Sequence, residues 1–145
     1  MNFLVDSLNF LKLYGVSGIK QSFEDEGVLD NDVVTMRRIT ELCSLPLYVK
    51  IGGCEAKSDI NTCISLGVNC IIAPMIETEF AMSKYLSAVN HKSNIDMMFV
   101  CETKTAADNI ESILGVSGSD RLCGLVFGRS DFTKSLGLSK SEVDS

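Results

Sequence analysis

The sequence predicts an α/β fold built on a parallel sheet, and three observations carry that prediction. Short apolar runs rich in β-branched and aromatic residues alternate with stretches whose apolar residues recur at helical spacing. The runs are almost continuously apolar, which is typical of parallel strands covered by helices on both faces. Positions at the ends of the runs are separated by 30, 24, 28 and 29 residues, the length of a βα unit: Lys20, Lys50, Pro74, Glu102 and Asp131.

The apolar runs place the five expected strands at residues 16–19, 47–51, 70–73, 97–101 and 122–127. A leading helix is expected before the first strand. Its residues Leu4, Leu8 and Leu11 share one face, and Gly15 suits the position just past a helix end. The chain therefore begins with a helix and continues as a series of βα units.

Four more helices are expected to begin near polar residues that suit an N-cap, at residues 30–32, Ser58, Thr78 and Thr105. Asp108 follows Thr105 three residues later, which is close to a capping box, and Gly115 suits the end of that helix. Each expected helix lies between two of the strands, as a parallel sheet requires.

A closed barrel is favoured over an open doubly wound sheet. The first βα turn lacks the GxGxxG pattern of dinucleotide-binding sheets, and polar residues at several successive strand ends are typical of (β/α) barrels. An eight-stranded TIM barrel needs about 250 residues, so about five βα units after a leading helix form an incomplete one. We therefore expect residues 1–145 to be a single partial (β/α)8 barrel domain, part of a longer reading frame or of a barrel completed by something else.

The composition narrows the classes of function. A formal net charge of −6 without a basic cluster argues against nucleic acid as a partner. No apolar run reaches transmembrane length and Asp6 interrupts the amino-terminal one, so we expect a cytoplasmic protein without a membrane partner. The six cysteines include no CxxC pair and the chain has one histidine, His91, so neither a zinc site nor a redox pair is expected. The cysteines are expected to be small buried hydrophobes.

Two carboxylates form a candidate metal site, because Glu102 and Asp131 follow the fourth and fifth expected strands. The carboxyl ends of parallel strands meet at one edge of a sheet, so the two side chains are expected to lie together there. Oxygen ligands without histidine or cysteine suit a hard cation such as Mg²⁺ or Mn²⁺. Helix caps or solvated loop residues are the alternative for both carboxylates.

Four residues at earlier strand ends are candidate substrate contacts. A lysine at the end of a buried strand needs an anion, so Lys20 and Lys50 meet either a ligand or a neighbouring glutamate. Gly52 and Gly53 allow a ligand to approach the backbone, or they form a plain tight turn.

The last candidate contacts are Gly128, Arg129 and Ser130, whose backbone N–H groups, together with the Arg129 side chain, suit a carboxylate or a phosphate. Arg129 is equally suited to reach a subunit partner. A general base could come from one of three carboxylates just past strand ends, which are otherwise ordinary loop or cap residues: Glu24, Glu26 and Glu55.

At this point the chain resembles the HpcH/HpaI aldolase and citrate lyase family of the phosphoenolpyruvate/pyruvate TIM-barrel superfamily. The resemblance is most specific in the E-T-x-x-A-x-x-N segment that begins at Glu102 and in the G-x-x-D-x-x-x-S-L-G segment from Gly128 to Gly137. It extends over four runs: GIKQSFEDEG, LYVKIGGCEAKSDINTCISLGVNCIIAPMIETEFAMSKYL, FVCETKTAADNIESIL and GLVFGRSDFTKSLGL.

The resemblance implies that Glu102 and Asp131 bind the divalent metal. Well-known aldolases of this family hold the keto acid with an arginine at an early strand end, and the nearest match by position is Lys50, our candidate catalytic residue. They also use a histidine near the metal-bound water. The only histidine here, His91, is expected at the opposite rim, exposed and idle.

The function expected from the resemblance is a metal-dependent carbon–carbon lyase or aldolase. Its substrate is expected to be a 2-keto acid or an acyl-CoA-like ester of the citryl or malyl type, and the chain is expected to form a homo-oligomer. Two alternatives stay open. One is transfer chemistry on phosphoenolpyruvate, and the other is a barrel remnant that binds a small acid or a subunit without turnover.

Overall fold

The computed structural model describes residues 2–139, and within them five parallel strands form one sheet. The strands lie side by side in chain order, as in a (β/α) barrel: β1 (Ile19–Ser22), β2 (Leu47–Lys50), β3 (Cys70–Ala73), β4 (Asp96–Cys101) and β5 (Leu122–Phe127). The register pairs Ser22 with Lys50 and Cys101 with Phe127. The carboxyl ends of the strands therefore share one edge, which confirms the predicted parallel sheet.

Helices precede β1 and follow every strand. They are α1 (Asn2–Lys12), α2 (Phe23–Glu26), α3 (Asp30–Leu42), α4 (Lys57–Ser65), α5 (Glu79–Ala88), α6 (Lys104–Asp108), α7 (Ile110–Leu114) and α8 (Arg129–Ser135). Thr78 caps α5 as expected, because its hydroxyl oxygen accepts a hydrogen bond from the Ala81 N–H at 3.1 Å. The leading helix is also confirmed, with Leu8 buried and Gly15 at a φ of 95° just past its end.

The main core lies between the sheet and the helices. Alternate strand residues such as Val49, Ile71 and Phe99 are fully buried there, packed with Ile60 of α4 and Tyr85 of α5. Residues at the opposite parity, including Lys50, therefore belong to the other face of the sheet. Because side chains alternate between the two faces of the sheet, Lys50 can point away from this core toward the cavities at the carboxyl ends of the strands.

The first strand lies three residues later than the sequence predicts. Residues 16–18 lie in the connection after α1, where the Val16 N–H donates a hydrogen bond to the Leu11 carbonyl of that helix. The Ile19 N–H then donates to the carbonyl of Pro46, the residue before β2. Gly18 passes so close to Tyr48 that a Cβ there would lie 2.7 Å from the ring. Lys20 is therefore inside β1, and the strand ends at Ser22.

The cap predicted at Thr105 is wrong. Thr103 caps α6 instead, because its hydroxyl oxygen accepts a hydrogen bond from the Ala106 N–H at 3.1 Å. Thr105 lies within α6, and Asp108 pairs with Lys104 rather than closing a capping box. The single expected helix is also divided at Asn109 into α6 and α7.

The cysteines and the histidine are largely where the sequence predicts them. All six cysteines are free thiols and four are buried, whereas Cys123 is exposed. Burial raises the pKa of the Cys63 thiol to about 12, so this group stays protonated and packs as a small hydrophobe. His91 is exposed before β4, near the amino-terminal edge of the sheet. No helix among the described residues is long and apolar enough to span a membrane.

Candidate active site at the carboxyl edge of the sheet

Two neighbouring cavities of about 280 Å³ and 200 Å³ open at the carboxyl edge of the sheet. Four charged residues line both of them: Asp25, Lys50, Glu102 and Asp131. The structure thus brings together the two predicted metal ligands and the predicted catalytic lysine. A wider hollow of about 700 Å³ lies beside α2 and α3, but none of these four residues lines it.

Glu102 is held from several sides although it directly follows the end of β4. The residue is only 6% exposed, and its Oε1 atom accepts a hydrogen bond from the Met75 N–H at 2.8 Å. Its Oε2 atom lies 3.6 Å from Lys50 Nζ. Gly128 backs it so closely that a Cβ at that glycine would be 2.6 Å from Glu102 Cβ. The carboxylate therefore has little freedom to move.

Lys50 ends β2 and forms ion pairs with two carboxylates. Its Nζ atom lies 3.0 Å from Asp25 Oδ2 as well as 3.6 Å from Glu102, and its side chain is 12% exposed. Burial disfavours the charged form, but the hydrogen bond to Asp25 and the charge of Glu102 outweigh it, so the pKa of Lys50 is raised. Lys50 is therefore a fixed cation and does not serve as a neutral amine. Of the two alternatives for this residue, the salt bridge to a carboxylate is present.

Asp25 is the site residue that sequence reasoning missed. It lies in the first turn of α2, whose N-cap Ser22 accepts a hydrogen bond from the Asp25 N–H at 3.2 Å. The hydrogen bond from Lys50 holds the pKa of Asp25 below its usual range. The available signal was the SFEDEG run, in which a serine cap precedes three acidic residues. Nothing in that run distinguishes Asp25 from the glutamates on either side.

Asp131 lies in the first turn of α8, the helix that follows β5. Its side chain is 56% exposed, and its Oδ1 atom accepts a hydrogen bond from Lys134 at 2.8 Å. That hydrogen bond raises the pKa of Lys134. Asp131 lines both cavities, and among residues 2–139 its ion pair is with Lys134, a neighbour on its own helix.

The predicted substrate contacts divide between the cavities. Gly52 lines the larger one, and its N–H donates to Asp59 Oδ2 at 2.7 Å. Four other predicted contacts line the smaller cavity: Lys20, Gly128, Arg129 and Ser130. Gly53 borders neither cavity. A Cβ at Gly53 would meet no atom within 4 Å.

The candidate bases differ in their surroundings. Glu24 lines the larger cavity, whereas Glu26 lies 3.8 Å from Lys20 on the surface. Glu55 instead pairs with Lys57 and Lys84 at 3.4 and 3.6 Å. Of the three carboxylates, Glu24 is thus the one that borders a cavity shared by Glu102 and Asp131.

The donor set fits a hard divalent cation that keeps water ligands. Glu102 and Asp131 offer carboxylate oxygens at the rim of the same two cavities, and Mg²⁺ is often bound by one or two carboxylates together with waters and substrate. Within residues 2–139 no three His, Cys, Asp or Glu side chains are grouped as a metal cage. A cation here therefore draws only part of its coordination from the described residues.

Comparison with known proteins places this geometry in a family context. A sequence profile of HpcH/HpaI aldolase/citrate lyase matches residues 41–145. The structure is similar to citrate synthase SbnG, with a TM-score of 0.80, 16% identity and 97% coverage of this chain. It is also similar to an HpcH/HpaI aldolase from Desulfitobacterium hafniense DCB-2, with a TM-score of 0.79, 14% identity and 95% coverage. A search of curated protein sequences gives no significant match.

A third solved structure, an HpcH/HpaI aldolase/citrate lyase family protein from Burkholderia cenocepacia J2315, gives a TM-score of 0.76 at 17% identity and 94% coverage of this chain. The chain spans 63%, 63% and 65% of the lengths of these three proteins. At such identities the likeness establishes the fold, an incomplete barrel of the TIM type. Because the profile matches well over half of the sequence, the chain belongs to the HpcH/HpaI aldolase/citrate lyase family.

Proposed function

We propose that the protein is a divalent-metal-dependent carbon–carbon lyase or aldolase that acts on a 2-keto acid such as pyruvate, or on a citryl- or malyl-type substrate. Membership of a family of aldolases and citrate lyases supports this class of reaction. The observation that carries the proposal is that Glu102 and Asp131 line the same two cavities, with the Lys50 ammonium 3.6 Å from Glu102.

In this proposal Glu102 and Asp131 hold Mg²⁺ or Mn²⁺. The cation supplies positive charge that offsets the negative charge developing on a keto oxygen when a neighbouring carbon bond is broken or formed. The two carboxylates differ in how firmly the surrounding residues hold them. Glu102 is fixed by the Met75 amide and by Lys50, whereas Asp131 is half-exposed and is paired through Oδ1 with Lys134.

Three cations beside the cavities are suited to the substrate's acid group. Lys50 borders both cavities, and Lys20 and Arg129 border the smaller one. Lys50 attracts a carboxylate as a point charge, whereas Arg129 can form two parallel hydrogen bonds with one. We assign the substrate carboxylate to the smaller cavity, where these charges converge. The backbone of Gly128 and Ser130 borders the same space.

The apolar part of a substrate is assigned to the larger cavity. Ile51, Pro74 and Met75 line it and give it apolar surface beside Glu102. A site with charged groups on one side and apolar groups on the other suits a short acid joined to a less polar fragment.

A second candidate function is the binding of a small acid without turnover. The contact that favours it is the Lys50–Glu102 ion pair, because an ammonium group beside the carboxylate already supplies the positive charge that a metal ligand needs. Arg129 and Lys20, which border the smaller cavity, are then the cations suited to bind an anion.

Proton exchange at a keto acid distinguishes the two functions. The purified protein is incubated with Mn²⁺ or Mg²⁺ and pyruvate in deuterium oxide, and loss of the pyruvate methyl proton signal is followed by NMR. The proposed lyase exchanges these protons for deuterium, and Glu102→Gln lowers the exchange rate by at least about 100-fold because the cation loses an anionic ligand.

The matched control is Asp96→Asn, which removes a carboxylate at the opposite end of the same strand. Asp96 is exposed at the start of β4 and borders neither cavity. We expect its exchange rate to equal that of the wild type. Metal binding without exchange for pyruvate and other 2-keto acids contradicts the lyase and favours the binding protein.

A further inference from the structure

Met75 adopts a backbone conformation that its side chain does not favour. Its φ is 53°, in the left-handed region, where residues other than glycine are uncommon. Within the described residues only Ser44, with a φ of 52°, shares this property. Met75 comes two residues after the end of β3 and borders the larger cavity. Conformations of this kind persist only when the surrounding structure enforces them, and they concentrate at functional sites.

The contact made by the Met75 backbone lies within the site. Its N–H donates a hydrogen bond of 2.8 Å to Glu102 Oε1. A buried carboxylate needs donors for its oxygens, and this backbone amide serves one of them. The second oxygen, Oε2, has its contact with Lys50 Nζ at 3.6 Å, beyond ordinary hydrogen-bond length. The amide therefore fixes which oxygen is held and which is left available.

We infer that Met75 is a positioning residue for Glu102. Its left-handed backbone directs the N–H to Oε1 and presents Oε2 to a divalent cation. This inference rests on the proposed function, because it requires Glu102 to be a metal ligand. It concerns the backbone alone, since Met75 is 62% exposed as a residue and its N–H makes the hydrogen bond to the carboxylate.

Two substitutions at this position separate the backbone from the side chain. Met75→Gly removes the side chain and keeps the left-handed conformation accessible, whereas the β-branched side chain in Met75→Val disfavours it. Mn²⁺ is the probe, and free Mn²⁺ is measured by electron paramagnetic resonance during titration of the protein. Loss of a partner that orients a metal ligand typically weakens binding 10–100-fold. We expect the dissociation constant to rise about 10-fold in Met75→Val and to stay within about twofold of the wild type in Met75→Gly.

Ser44 provides the matched control for backbone strain. It follows α3, far along the chain from Glu102, and its N–H donates to the Glu41 carbonyl. Ser44→Val introduces the same side chain at the same φ, so we expect a fall in melting temperature similar to that of Met75→Val. Its Mn²⁺ dissociation constant is expected to equal that of the wild type. If Met75→Val does not fold, Met75→Ala is used, with a smaller rise in the same direction.

The outcomes distinguish this inference from the function on which it rests. Wild-type protein that does not bind Mn²⁺ overturns both. Binding by the wild type that is unchanged in Met75→Val, or weakened equally in Met75→Gly, overturns the positioning role alone. A readout without metal is the Met75 amide proton in NMR spectra. We expect it to shift upfield in Glu102→Gln, where the acceptor loses its charge, and an unchanged shift also overturns the inference.

Discussion

Glu102 and Asp131 hold equivalent places in the sequence but very different places in the structure. Each follows a strand of the same parallel sheet. Glu102 is buried and is held by Met75 and Lys50, which lie 27 and 52 positions away in the sequence. Asp131 is more than half exposed and pairs with Lys134, three residues away on the same helix. One carboxylate is thus fixed by tertiary contacts, and the other by a local one.

The two strands also differ in their pairing within the described part of the chain. There β4 pairs with both β3 and β5, whereas β5 pairs with β4. A residue at the end of a central strand is surrounded by the loops after both neighbouring strands. The comparison teaches that tertiary contacts position the Glu102 carboxylate, whereas the Asp131 carboxylate forms a surface ion pair within its own helix.

The largest loss of stability is expected when a substitution at Gly128 fills the space behind Glu102. In Gly128→Ala the added Cβ would lie 2.6 Å from Glu102 Cβ and 3.1 Å from Val100 Cγ1, so one of these groups must move. Overpacking of this kind costs about 2–3 kcal/mol of the free energy of unfolding. Urea denaturation measures this loss, with an unchanged m value if the unfolding transition stays two-state.

Gly53→Ala is the control, because a Cβ at Gly53 meets no atom within 4 Å. We expect its free energy of unfolding to lie within about 0.5 kcal/mol of the wild type. Equal losses in the two variants would show that the close approach of Gly128 to Glu102 is not what requires glycine there.

A smaller effect is expected from truncating each carboxylate in turn. Glu102→Ala leaves the Met75 N–H without its acceptor and removes one partner of Lys50, at a cost of about 1–2 kcal/mol. Asp131→Ala removes an exposed pair with Lys134, which solvent screens, so its melting temperature is expected to stay close to that of the wild type. Thermal denaturation of both variants measures the difference, and similar losses of stability for the two would contradict the contrast between a buried and an exposed carboxylate.

The sequence predicted the βα order, the parallel sheet and four of the five strands to within one residue. Continuous apolar runs such as residues 70–73 and 122–127 carry that information locally, and both matched the structure at each end. The first strand was misplaced because the apolar residues Val16 and Ile19 suited a strand, whereas the backbone at Val16 is engaged by Leu11 at the end of α1. Hydrogen bonds to a preceding helix leave no periodic signal.

The candidate site was also predictable only in part, because tertiary contacts position some of its residues and leave no pattern in the sequence. Strand-end position was enough to group Glu102, Asp131 and Lys50, since register brings these ends together. It gave no information on Asp25, which depends on the position of Lys50 Nζ, or on Met75, which depends on a φ that no sequence pattern records. Gly53 illustrates the opposite error, in which a residue was predicted to lie in the site but borders neither cavity. A pair of glycines in a sequence does not reveal which of the two lies beside a cavity.

The smallest effect concerns the pH dependence of the Asp25–Lys50 pair. The hydrogen bond from Lys50 lowers the pKa of Asp25 in the folded state below its ordinary value of 3.8. A lowered folded pKa means that the charged carboxylate stabilises the fold at pH values above 3.8, and that this contribution disappears as the pH falls through the folded pKa. Because the Asp25 side chain is 53% exposed, the contribution is screened to about 0.5 kcal/mol or less.

Asp25→Asn is therefore expected to be slightly less stable than the wild type at neutral pH and equally stable in acid. Urea denaturation between neutral pH and about pH 3 measures the gap, and repeating the comparison in a Lys50→Met background isolates the pair as a double-mutant cycle. Without the ammonium partner the gap should vanish at every pH. A gap that persists in that background would mean that Asp25 is stabilised by the Ser22 cap and its place in the first turn of α2, and that Lys50 is directed chiefly by Glu102.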